Sequence, residues 1–158
     1  MRFKLRPGDD EFLQSAPQRH VGVFEIPQTA DRVWEDLTSE HTLGWCRALR
    51  SVTWTSARPF GVGTTRTVKP GLPGLALGEV YFRWEEGRRK SFYIAEATLP
   101  LFRCFAEDYV VEETSPTSCR FTWTVANEAP PAARPGNPIN ALITKSLFSD
   151  TRRHFGAR

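Results

Sequence analysis

The chain has 158 residues, of which 40% are hydrophobic, 12% aromatic and 25% charged, with a formal net charge of +3. That is the balance of one folded domain rather than of a disordered chain. No run approaches the roughly 20 apolar residues of a membrane-spanning helix, and cations cluster only at 88–90 and 152–153, which argues against a basic nucleic-acid stripe.

Residues 1–18 are polar and carry Pro7-Gly8 and Pro17, so they are expected as an irregular leader to a single domain over 19–158. They hold no apolar core of a secretion signal, and the expected location is the cytoplasm. His20 to Ile26 alternates as a first strand. Pro27 to Asp31 breaks it, and Thr29 or Asp31 is placed to cap a helix whose apolar residues Val33, Trp34 and Leu37 keep helical spacing. A second short helix is expected from Glu40 to Leu49. Strands follow at 51–57, 62–69, 77–85, 90–98, 102–112 and 118–127. Their connectors, Arg58-Pro59-Phe60-Gly61, Pro70 to Gly74 and Glu86-Gly87-Arg88, are turns too short for a parallel crossover, so the strands form an antiparallel meander.

The last two strands read as a long hairpin, RCFAEDYVVEETSPTSCRFTWTVA, from Arg103 to Ala126. On its second arm Cys119, Phe121, Trp123 and Val125 share one face and Arg120, Thr122 and Thr124 the other, which predicts a buried and a wet side. A proline-rich stretch over 128–136 then ends the sheet and lets the chain cross to a final helix starting near Pro138. Ile139, Leu142, Ile143, Leu147, Phe148, Thr151 and Phe155 form its apolar stripe.

The order is strand, two small helices, six strands and a long helix. With FEIPQTADRVWEDL at 24–37, GVGTTRTVK at 61–69, GEVYFRWEEGRRKSFYIAE at 78–96 and DYVVEE with CRFTWTV in the last hairpin, the chain resembles the START-like or SRPBCC superfamily, and within it the polyketide cyclase/dehydrase-like group. The resemblance covers about residues 20 to 156. It implies an α+β helix-grip fold, a seven-stranded curved antiparallel sheet wrapped on a long C-terminal helix, with an apolar cavity between the two. Members differ widely in use, so fold alone does not settle function.

The resemblance also implies polar groups on the cavity face. In birch-pollen-allergen-like relatives the third, fourth and sixth strands point polar side chains inward at positions matching Arg66, Glu79 and Glu107. By strand parity these align with Val68, Tyr81, Phe92, Ile94, Tyr109 and Val111. On 79–85 the two arguments differ by one residue, because alternation alone would turn Val80, Phe82 and Trp84 inward. We take the family register, which leaves that row outward, and a homodimer is expected through that row or through sheet edges. The competing reading of Arg66, Glu79 and Glu107 is a structural ion pair or solvated sheet charges.

The expected ligand contacts are Trp45, Arg66, Glu79, Tyr81, Phe92, Ile94, Glu107, Tyr109, Trp123 and, from the last helix, Leu147. Cysteines 46, 104 and 119 make no paired spacing and are expected as buried apolar side chains. Histidines 20, 41 and 154 lack metal-ligand spacing, and the glycines at 61–63 lack a nucleotide loop's pattern, so neither metal nor cofactor is expected. The leading expectation is a binder of a hydrophobic or aromatic small molecule such as a lipid or polyketide. The alternatives are a cyclase/aromatase- or dehydratase-like enzyme, with Glu107 or Glu79 taking a proton and Arg66 or Tyr109 steadying an enolate oxygen, and a protein-interaction module.

Overall fold

A computed structural model describes residues 1–132 and 138–158. In chain order its elements are β1 (Phe3–Lys4), α1 (Asp10–Ser15), β2 (Gln18–Ile26), α2 (Ala30–Thr38), β3 (Leu49–Trp54), β4 (Thr65–Pro70), β5 (Leu77–Glu85), β6 (Arg89–Ala97), β7 (Cys104–Ser115), β8 (Ser118–Glu128) and α3 (Pro138–Phe155). The sheet runs β2-β8-β7-β6-β5-β4-β3, antiparallel throughout, with β1 attached to β6. It is the curved half-barrel expected, with the C-terminal helix against it. Of the proline-rich crossing at 128–136, residues 133–136 lie outside the described residues.

Alternation places the core. Phe24 and Ile26 of β2, Phe121 and Trp123 of β8, and Tyr109 and Val111 of β7 are all buried on the inner face. Phe24 stacks on Phe121 at 5.4 Å between ring centres, and Phe148 of α3 meets both Phe24 and Trp123. Truncating a ring such as Phe121 to alanine costs about 3–5 kcal/mol. Gly22 lets α3 come this close, since a Cβ there would stand 3.0 Å from the Phe148 ring. Helix α2 is capped by Thr29, whose hydroxyl accepts from Arg32 N at 3.2 Å, and it buries Val33, Trp34 and Leu37.

Four expectations need correction. The leader is not irregular: Asp9 caps α1 through Phe12 N, and Phe12 and Leu13 are buried against Cys104, Ala106 and Ala126. The sheet's outer side is therefore dry under α1, and a Cβ on Gly8 would come within 2.8 Å of Ala106.

Residues 40–48 are not a second helix. Thr42, Gly44 and Cys46 donate to carbonyls three residues back, a chain of tight turns, and Leu43 sits at φ 58°. Tertiary bonds override helix propensity here. Asp150 of α3 takes Arg47 N and its guanidinium, and Trp45 Nε1 donates to Thr151 at 3.0 Å.

On β5 both registers hold in part, because a bulge lies between Tyr81 and Arg83. Glu79 and Tyr81 face inward ahead of it, as the family register requires. Phe82 packs on the outer side with Tyr93 in the cluster beneath α1. Trp84 returns inward past the bulge, edge-on to Trp34 and Tyr81. The outward row of Val80, Phe82 and Trp84, one of the two surfaces expected to join a homodimer, does not exist as a row.

Finally, the stripe of α3 begins later than expected. Ile139 and Leu142 are 67% and 65% exposed, whereas Leu147, Thr151 and Phe155 are buried.

Candidate functional site

Strand register assembles the polar residues from distant parts of the chain. Across the sheet, Trp54 stands opposite Arg66, Arg66 opposite Glu79, and Glu79 opposite Ile94. A second row runs Tyr81, Phe92, Glu107, Val125, and a third Lys90, Tyr109, Trp123. Opposite residues of an antiparallel pair share a face. Three rows of inward side chains thus follow from the hairpin registers alone.

Between these rows and α3 lies a cavity of about 300 Å³, at the small end of the range for small-molecule sites. Its wall is chiefly aliphatic and aromatic, with Val68, Leu77, Ile94, Phe105, Ile143 and Leu147 prominent. Arg66, Glu79, Glu107 and Tyr109 add a polar end, and Leu72, Leu101 and Ile139 also line it while remaining partly exposed.

The polar end is buried. Arg66 Nε donates to Glu79 Oε2 at 2.6 Å, with the two side chains 1% and 5% exposed. The guanidinium lies 5.1 Å from the ring centres of Trp54 and Phe92. Burial opposes the Arg66 charge, but Glu79 together with Tyr81 and Tyr109 outweighs it and keeps the cation firmly protonated. Burial likewise raises Glu79, with Arg66 holding it down. Glu107 Oε2 accepts from Tyr109 Oη at 3.1 Å and from Trp123 Nε1 at 3.0 Å. Burial, helped by the Glu79 charge, pushes the Glu107 carboxyl from its ordinary 4.5 up to about 8.

Sequence reasoning missed Lys90. It is fully buried, donates to Leu37 O at 2.6 Å, and sits 4.9 Å from the Tyr109 ring and 5.3 Å from Trp54. Burial and the Arg66 charge drive its amine well below the ordinary value. The signal was present: Lys90 has the parity of Phe92 and Ile94, yet it reads as the end of an Arg-Arg-Lys surface cluster.

Of the expected contacts, Arg66, Glu79, Ile94, Glu107, Tyr109, Trp123 and Leu147 line the cavity. Tyr81 and Phe92 stand behind it, their rings against the Arg66 guanidinium. Trp45 is elsewhere, stacked on His154 at 3.9 Å and fastened to α3. The reason is the turn run at 40–48, which rotates Trp45 away from the face a helix would have given it.

A curved antiparallel sheet gripping a C-terminal helix around an apolar void defines the START-like, helix-grip class. The chain belongs to the family described as polyketide cyclase / dehydrase and lipid transport, whose sequence profile matches residues 18–154. Uncharacterized proteins of Mycobacterium tuberculosis and Mycobacterium bovis are 32% identical to it over 152 residues, covering 93% of this chain and 90% of theirs. Among solved structures it is similar to a START superfamily protein from Mycobacterium smegmatis, with a TM-score of 0.70 at 9% identity over 87% of this chain and 97% of that one. It is similar also to the ginseng major latex-like protein 151 of Panax ginseng, with a TM-score of 0.66 at 15% identity over 89% and 99%. At such identities these structures speak to the fold.

Proposed function

We propose that the protein binds one hydrophobic or aromatic small molecule, of the lipid or polyketide kind, in the cavity between sheet and α3. The observation that carries the reading is an apolar void of about 300 Å³ closed at one end by Arg66, Glu79, Glu107 and Tyr109. Burying an apolar ligand there is favourable by about 25 cal/mol per Å² removed from water, and the polar end fixes its orientation.

The test uses the neutral dye N-phenyl-1-naphthylamine together with native mass spectrometry of the purified protein. Binding at micromolar concentration, abolished by the cavity-filling substitution Ile143→Trp with an unchanged unfolding temperature, supports the reading. A protein that takes up neither dye nor lipid, or an Ile143→Trp variant that binds equally well, defeats it.

One observation favours a second, enzymatic reading. A carboxyl with its proton affinity moved to about 8 on the wall of a largely apolar cavity suits proton transfer near neutrality. On that reading Glu107→Gln keeps ligand binding and loses turnover.

A further inference from the structure

Resting on the cavity as a ligand site, we propose that the ligand lies with an acyl oxygen innermost, a carbonyl or carboxylate acceptor held between the Arg66 guanidinium and the Glu107 carboxyl.

The polar end of the cavity is rich in donors and poor in free acceptors. Arg66 carries five N–H groups, is 1% exposed, and among the described residues spends only Nε, on Glu79. Its Nη1 is buried with no partner. Asn140 Nδ2, the other partnerless buried atom on the cavity wall, is again a donor. Of the Glu79 carboxylate, Oε2 is taken by Arg66 Nε, and its charge is matched by that guanidinium.

Glu107 adds a third donor. Its Oε2 already takes the Tyr109 hydroxyl and the Trp123 indole, so a proton on this carboxyl sits on Oε1. With its carboxyl pushed to about 8, Glu107 keeps that proton at neutral pH. An acceptor-only group between Arg66 and Glu107 meets both of their needs, and Asn140 on α3 offers a further donor elsewhere on the wall. An ammonium end would set N–H against N–H beside a buried cation, which desolvation makes costly.

The groups facing Glu107 are Arg66 on β4, Glu79 and Tyr81 on β5, Lys90 on β6, Tyr109 on β7 and Cys46 from the turn run. Around the cavity, α3 offers Thr144 and Leu147, which do not titrate. Burial holds the Tyr81 and Tyr109 hydroxyls above their ordinary 10 and the Cys46 thiol at about 12. Glu107, pushed up to about 8, changes charge between pH 6.5 and 9.5, with Glu79 raised and Lys90 lowered by burial and both coupled to it, so the Glu107→Gln comparison isolates its part. Its ionisation removes a donor and turns the site against acceptors.

The experiment displaces N-phenyl-1-naphthylamine with decanoic acid, methyl decanoate and decylamine, which share one tail. The acid and the ester are expected to bind about ten-fold more tightly than the amine. Acid above ester identifies a carboxylate as the innermost group, and equal binding identifies a neutral carbonyl. Arg66→Met is expected to erase most of the preference while the dye still binds. Should that variant fail to fold, Arg66→Met with Glu79→Gln removes both members of the buried pair and carries the same comparison.

Methyl decanoate does not titrate, so its affinity reports the site. It is expected to fall about five-fold or more from pH 6.5 to 9.5 in the native protein and to stay level in Glu107→Gln, which keeps an amide donor at every pH. Decylamine binding as tightly as the acid, or a pH loss that persists in Glu107→Gln, overturns the acyl-first orientation and leaves the cavity a ligand site. Failure of the dye and all three amphiphiles to bind overturns both.

Discussion

Replacing Glu107 by glutamine tests the electrostatics of the cavity in the absence of any ligand. A carboxyl whose native value lies above its unfolded one binds its proton more tightly in the folded state. Its contribution to stability is full below about pH 4.5 and is lost as the pH rises to about 8. At about 1.4 kcal/mol per pH unit, the native state at pH 7.5 is weaker than at pH 4.5 by roughly 4 kcal/mol through this one group. Relaxation around the site trims that figure, and about 2–4 kcal/mol is the expected range.

Glutamine keeps the shape, accepts from Tyr109 and Trp123 through its amide oxygen, and does not titrate. Glu107→Gln should therefore be more stable than the native protein by about 2–4 kcal/mol at pH 7.5 and nearly equal to it at pH 4.5. Urea unfolding followed by tryptophan fluorescence at several pH values measures this directly. Parallel stability profiles for the two proteins would refute the reasoning, for they would mean that Glu107 titrates as an ordinary carboxylate.

Three more outcomes follow from the same geometry. Arg66→Met leaves Glu79 buried without its cation and should cost about 3–5 kcal/mol at pH 7.5; the Glu79 carboxyl then moves further up, so the defect eases toward pH 5. Adding Glu79→Gln should restore most of the loss, and a simple sum of the two single effects in urea unfolding would show that the pair is not coupled. Lys90 has a native value below its unfolded 10.5, so it opposes folding at low pH and the opposition fades as pH rises. Lys90→Met should therefore gain stability most near pH 6, and a variant that gains nothing there would place a charged amine in the core. Phe12→Ala should cost about 3 kcal/mol and leave dye binding intact, because α1 covers the outer face and not the cavity; thermal unfolding indifferent to this change would return the leader to an irregular one.

The sheet was legible because its strands alternate cleanly, as in Cys119, Phe121, Trp123 and Val125. The trio Arg66, Glu79 and Glu107 came from resemblance and parity together, and the register of β4 on β5 then made Arg66 and Glu79 direct neighbours. What alternation cannot carry is an extra residue. The bulge after Tyr81 let two apparently exclusive facings of β5 coexist, with Tyr81 and Trp84 inside and Phe82 outside. The leader helix is short, six residues, and its apolar pair is adjacent rather than periodic, although Asp9 three residues before Phe12 is a readable cap. The missing helix at 40–48 failed for a different reason. Asp150 and Thr151, about a hundred residues away, hold Arg47 and Trp45 in turns, and nothing local announces them.

The burial of Arg66, Glu79, Lys90 and Glu107 also bears on what the inner face is for. Buried ion pairs are often replaceable by packed hydrophobic residues at no loss, or with a gain, in stability. Here three of the four groups, Glu79, Lys90 and Glu107, are driven toward their neutral forms by burial, and Arg66 keeps an unmet donor on the cavity wall. Stability alone gains little from such a cluster beside a cavity. The partnerless donor costs about 1–3 kcal/mol as it stands, and an entering acceptor would recover that cost only on binding. That difference favours a polar-ended ligand over a plain hydrocarbon.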